Sequence, residues 1–144
     1  MSRPDWETDG RDWPNRETSR FVDAGGLRFH VQVMGAGPPI LLLHGTGAAT
    51  HSWRDLMPAL ASRFTVIAPD LPGHGFTAPL RGLATQEAMA TAIGALLARI
   101  GVSPVLVAGH SAGAAIAARL ALDGHAAPDA IVSLNGALLP FPGP

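Results

Sequence analysis

The chain has 144 residues, 47% of them hydrophobic and 15% charged, enough apolar material for one packed domain and too much for disorder. A formal net charge of −1 gives no basis for nucleic acid or an acidic membrane as partner. With no cysteine, disulfides, thiolate nucleophiles and zinc–thiolate sites are excluded.

In chain order, residues 1–19 mix acidic and basic side chains with Trp6, Trp13 and Pro14 and show neither helical nor strand periodicity. They read as an arm laid on the domain surface, since two tryptophans prefer to bury their rings. No apolar signal-peptide core follows the polar start, so a cytoplasmic location is expected. From Arg20 the pattern is regular. Residues 20–23 and 27–33 flank Ala24-Gly25-Gly26 and predict a β-hairpin. In its second strand Leu27, Phe29, Val31 and Val33 share one face, and Arg28, His30 and Gln32 the other. Residues 39–43 are a continuous apolar run, suited to a strand covered on both faces. Helical spacing follows over 52–62, with Pro58 as a kink or early-turn residue. A strand is predicted at 64–68, a helix at 84–100 stopped by Gly101, a strand at 104–108, a helix at 112–122 and a strand at 130–134. Strands separated by such helices imply parallel βαβ units. The apolar stretch 102–122 approaches membrane-spanning length. Ser103-Pro104, Gly109-His110-Ser111 and Arg119 interrupt it, so a buried strand entering a buried helix is expected and no membrane span.

Gly109-His110-Ser111-Ala112-Gly113 stands between a predicted buried strand and a predicted helix, the context that a G-x-S-x-G nucleophile elbow requires. So sharp a turn forces Ser111 into a strained conformation and lifts its hydroxyl above the strand ends. Gly109 and Gly113 are needed because side chains there would strike the neighbouring helix and strand. The amide of Ala112 then points at the site from a helix N-terminus, where developing negative charge is stabilised. Alone, the pattern also fits an ordinary glycine-rich turn. Two further segments sit at predicted strand ends: His44-Gly45-Thr46-Gly47 after 39–43, and Asp70-Leu71-Pro72-Gly73-His74-Gly75 after 64–68. Those ends are where open parallel sheets bind ligands.

The order and spacing of these three elements resemble the α/β-hydrolase family over residues 20–135. The resemblance implies an α/β-hydrolase fold, a mostly parallel sheet with an N-terminal hairpin, ending here after the sixth strand. It also implies Ser111 as nucleophile, the amides of Thr46 and Ala112 as oxyanion donors, and His44, Gly45, Gly109 and Gly113 as supports. His44 is expected to hold loop geometry rather than move protons, and His74 to brace the loop after the fourth strand. His110 is expected to point away from the site. His30, His51 and His125 are expected to be exposed or helix-terminal. No histidine spacing resembles a metal site, and neither metal nor cofactor is implied.

A hydrolase triad runs in the order Ser, Asp or Glu, His. Downstream of Ser111 stand only Asp123, His125 and Asp129, the first two past the far end of the helix and the third in the wrong order. A complete member needs roughly 250 residues. The chain therefore reads as residues 1–19, an arm, and 20–144, the N-terminal half of a hydrolase domain. Asp9–Arg16 with Ser19–Val22, His44–Trp53 and Leu134–Phe141 resemble, more narrowly, the magnesium-chelatase accessory hydrolases of bacteriochlorophyll biosynthesis. That likeness implies a role in photosynthetic pigment synthesis. Its implied partners are a small-molecule ester, thioester or tetrapyrrole intermediate and a magnesium-chelatase subunit. A generic serine esterase and an inactive truncated fragment stand as alternatives.

Overall fold

The computed structural model describes residues 2–139 and joins six strands in one sheet, ordered β1-β2-β4-β3-β5-β6. β1 (Ser19–Ala24) and β2 (Leu27–Met34) form the predicted hairpin. β2 pairs antiparallel with β4 (Thr65–Pro69). Beyond it every pairing is parallel: β4 with β3 (Pro39–Leu43), β3 with β5 (Leu106–His110), and β5 with β6 (Ala130–Leu134). The apolar run of β3 suits this central place. Its Leu41 and Leu43 pack toward one core, and Ile40 and Leu42 join Trp53 and Met57 in another across the sheet.

Helix α3 (Gln86–Ile100) starts where the Thr85 side chain accepts from the Ala88 amide and ends at left-handed Gly101. Met89, Ile93, Leu96 and Leu97 form its buried stripe. Helix α4 (Ala112–Leu122) buries Ile116 and Leu120. Several expected boundaries move, β4 by one residue and the start of α3 by two. The helix expected over 52–62 is a 3₁₀ turn, Thr50–Trp53, followed by the short α2 (Leu56–Leu60), with Pro58 in the first turn, where no amide donor is missed. β5 runs on to His110, which still pairs with Leu134.

The arm is more structured than its composition suggests. It contains α1 (Trp6–Asp9), capped by the Asp5 side chain accepting from the Thr8 amide, and a 3₁₀ turn, Arg16–Thr18. These elements are too short to show a period. The arm lies across the second face of β2. Gln32 Nε2 donates to the Pro14 and Asn15 carbonyls at 2.8 and 3.2 Å. The Trp6 ring sits 4.8 Å from His30, with Arg16 4.3 Å above it. His30 is consequently 0% exposed, as is Gln32, which corrects the expected exposure of His30. Alternation identified the two faces of β2 but not what covers the second. At the opposite edge β6 is exposed throughout, Ile131, Val132 and Leu134 included. Pro140 and Phe141 lie outside the described residues. Among the described residues, no helix is long and apolar enough to cross a membrane.

Candidate active site

β5 ends at His110 and α4 begins at Ala112, so the chain reverses within Ser111. Ser111 takes φ 55° and ψ −119°. For a residue with a side chain such a conformation costs on the order of 1–3 kcal/mol and persists only where its surroundings enforce it. Here the Ser111 amide donates to the Leu134 carbonyl at 3.0 Å, and the Ser111 carbonyl accepts from the amides of Ala114 and Ala137 at 3.1 and 3.0 Å. The Ser111 side chain makes no capping bond to α4 and is half-buried.

The flanking glycines are close-approach positions. A Cβ on Gly113 would run into the carbonyl oxygens of Leu43 and His44 at the end of β3, and one on Gly109 into the Gly113 carbonyl and Ala114 amide. β3 pairs with β5 up to Leu43↔Gly109, so the segment leaving β3 starts beside the elbow. A Cβ on Gly45 would lie 3.1 Å from Ser111 Cβ and 3.2 Å from the His110 carbonyl. The His44–Gly47 turn thus packs against the serine, with Thr46 exposed at its tip and an Ala48 amide bond to the Gly45 carbonyl at 3.1 Å. His110 is exposed, and its Nδ1 would lie 3.5 Å from the same Gly45 Cβ. Its ring borders the turn at Gly45.

His44 is 0% exposed. Its Nδ1–H donates to the Gly45 carbonyl at 2.7 Å, and its Nε2 accepts from the Leu71 amide at 2.9 Å. That pattern requires the neutral ring. Burial, opposed in part by the Gly45 carbonyl and the Asp70 charge, pushes its pKa down to about 4. With both nitrogens engaged, His44 supports the turn and has no lone pair free for the serine proton. His74 bonds within its loop, Nδ1 to the Pro72 carbonyl at 3.0 Å, with its ring 5.1 Å from that of His44.

Asp70 did not emerge from the sequence as a site residue. It is 0% exposed, and its Oδ1 accepts from the Thr50 amide at 2.8 Å. Its Oδ2 accepts from His30 Nδ1 at 2.8 Å and from the Phe76 amide at 2.9 Å. Burial pushes its carboxyl up, but the His30 hydrogen bond and the two amides outweigh that and hold its pKa below the ordinary value. The signal that could have found it is an acid placed directly after an apolar strand.

The downstream acids and histidine lie elsewhere. Asp123 pairs with Arg119 at 2.6 Å and His125 lies 3.4 Å from Thr91, both past the far end of α4. The Asp129 amide bonds the Val105 carbonyl before the start of β5. Among the described residues, no three His, Cys, Asp or Glu side chains could hold a metal ion. What the arrangement offers is a strained serine at a helix N-terminus, beside a glycine-rich turn.

A family model described as alpha/beta hydrolase fold matches residues 38–144. The chain is 41% identical over 134 residues to the magnesium-chelatase 30 kDa subunit of Rhodobacter capsulatus, covering 91% of this chain and 46% of that protein. It is 41% identical over 99 residues to the soluble epoxide hydrolase of Corynebacterium sp. strain C12, covering 68% and 34%. A crystal structure of an alpha/beta hydrolase fold protein from Burkholderia ambifaria matches with a TM-score of 0.79 at 30% identity, over 88% of this chain and 47% of that one. The chain spans less than half the length of each of these relatives.

Proposed function

Because the chain belongs to the α/β-hydrolase family, we propose that it carries the nucleophile half of a serine-hydrolase site for a small-molecule ester or thioester. Ser111 attacks the acyl carbon, and the amides of Thr46 and Ala112 stabilise the oxyanion that results. His44, Gly45, Gly109 and Gly113 hold these groups together. The observation that carries this function is the left-handed Ser111, locked between β5 and α4 with its Cβ against the glycine turn. Attack also needs a base for the serine proton. His44 has both nitrogens engaged, and Asp123, His125 and Asp129 lie away from Ser111, so this chain alone should hydrolyse nitrophenyl esters no faster than its Ser111→Ala variant. In the full-length protein, fluorophosphonate labelling should be confined to Ser111 and vanish in Ser111→Ala. Labelling that survives the substitution rejects the assignment.

An accessory role beside a magnesium chelatase, binding a tetrapyrrole intermediate or a chelatase subunit in the cytoplasm, is favoured by one observation. The Rhodobacter relative matches 91% of the chain, more than the share that follows the arm, whereas the epoxide hydrolase matches 68%. Saturable binding of magnesium protoporphyrin to the full-length protein would support that role. No binding alongside Ser111-specific labelling would leave the hydrolase function alone.

A further inference from the structure

We propose that the N-terminal arm is a positioning element of the site, with the Trp13 indole steadying the turn that carries Thr46 through Thr50 and Asp70. The inference rests on Thr46 as an oxyanion donor. The turn is pinned at both ends by two adjacent residues of the loop after β4. At its start His44 Nε2 accepts from the Leu71 amide at 2.9 Å. At its end the Thr50 amide donates to Asp70 Oδ1 at 2.8 Å. Between these anchors one backbone bond, Ala48 to Gly45, closes the turn. The direction of the Thr46 amide therefore follows from how firmly the anchors are held.

The arm grips one of them. Trp13 Nε1–H donates to Thr50 Oγ1 at 2.9 Å. Thr50 and Asp70 are both fully buried, so water cannot replace a lost partner without further opening. A second route reaches the same carboxylate. The Phe76 amide donates to Asp70 Oδ2, and the Phe76 ring lies 4.9 Å from both Trp6 and Trp13. His30, the third donor to Asp70, lies under Trp6 and bonds Ser19 Oγ through Nε2 at 2.8 Å. Every donor to Asp70 thus sits beneath the arm or is held by it. A mere cover would need the tryptophan rings but not an indole N–H aimed at a buried hydroxyl. Trp13 touches no reacting atom, and it acts through the turn.

The test uses Trp13→Phe, which keeps a ring and removes the donor, and Thr50→Val, which removes the acceptor and keeps the amide. Hydrogen exchange of the full-length protein, read by mass spectrometry, should accelerate at Ala48, Thr50 and Leu71 by about fivefold in either variant, the weight of one buried hydrogen bond. The double variant should exchange no faster than either single one. The Ser111 labelling rate should fall by a similar factor. Unchanged exchange at the turn, additive effects in the double variant, or acceleration spread through α3 and α4 would overturn the proposal. A parent that responds in exchange but never labels would remove Ser111 as nucleophile and leave the arm's grip on the turn standing. Unchanged exchange with intact labelling would do the reverse.

Discussion

Mild acid should weaken this protein through His44. Its ring is neutral and fully buried, both nitrogens are committed, and its pKa is pushed down to about 4. In the unfolded chain the same ring titrates near ~6.5. The unfolded state therefore takes up a proton first as the pH falls. Stability is complete above ~6.5, declines through the interval and has lost the whole contribution below about 4. The separation corresponds to about 3 kcal/mol, a large part of the stability of a small domain. Asp70 continues the trend at lower pH. Its pKa is held below the ordinary carboxylate value, so its contribution is present above ~3.9 and is lost as the pH falls through the folded value. Urea unfolding at about pH 7 and about pH 4, in the parent and in His44→Gln, isolates the first group. The variant should be weaker at neutral pH, because a glutamine amide cannot make both ring contacts. The gap between the two proteins should narrow by about 3 kcal/mol toward pH 4. Parallel pH profiles would refute the buried neutral imidazole.

Valine at Gly113 would drive a branched side chain into the Leu43 and His44 carbonyls, so thermal melting should register a loss of about 2–4 kcal/mol. An unchanged midpoint would contradict the close approach of α4 to β3. The exposed β6 edge, with Val132 and Leu134 bordering an apolar hollow shared with Leu42 and Leu56, should make residues 1–144 self-associate or melt at low temperature. Val132→Lys should shift them toward monomer in size-exclusion chromatography, and a monodisperse, cooperatively melting parent would refute this.

What could be read from the sequence was whatever a local steric rule dictates. The bounds of α4 and β6 match the expected 112–122 and 130–134, because each is a mostly apolar segment between clear stops. Ser111 could be placed because one residue between a strand and a helix leaves few backbone solutions. His30, Gln32 and Asp70 were not legible in the same way. Their burial depends on an arm whose own helix is four residues long and whose grip comes from Trp6 and Trp13 contacting residues distant in sequence. The 3₁₀ turn before α2 escaped for a related reason. Apolar spacing marks which residues face the core, but not whether a short turn winds with three or four residues.

The sheet order has a consequence for when the site comes into being. The β1–β2 hairpin is local, whereas β3 and β5 pair across α2, β4 and α3, the widest sequence gap of any pairing in the sheet. Closing so long a loop is entropically slow, and its cost comes before any contact returns it. Ser111 is drawn into its left-handed conformation only by that pairing and by the later Leu134–Ala137 segment that bonds both sides of its peptide. The strained serine is thus a late product of folding. A chain emerging from the ribosome carries its serine in relaxed backbone until the far strands arrive, and only the finished sheet makes it distinctive.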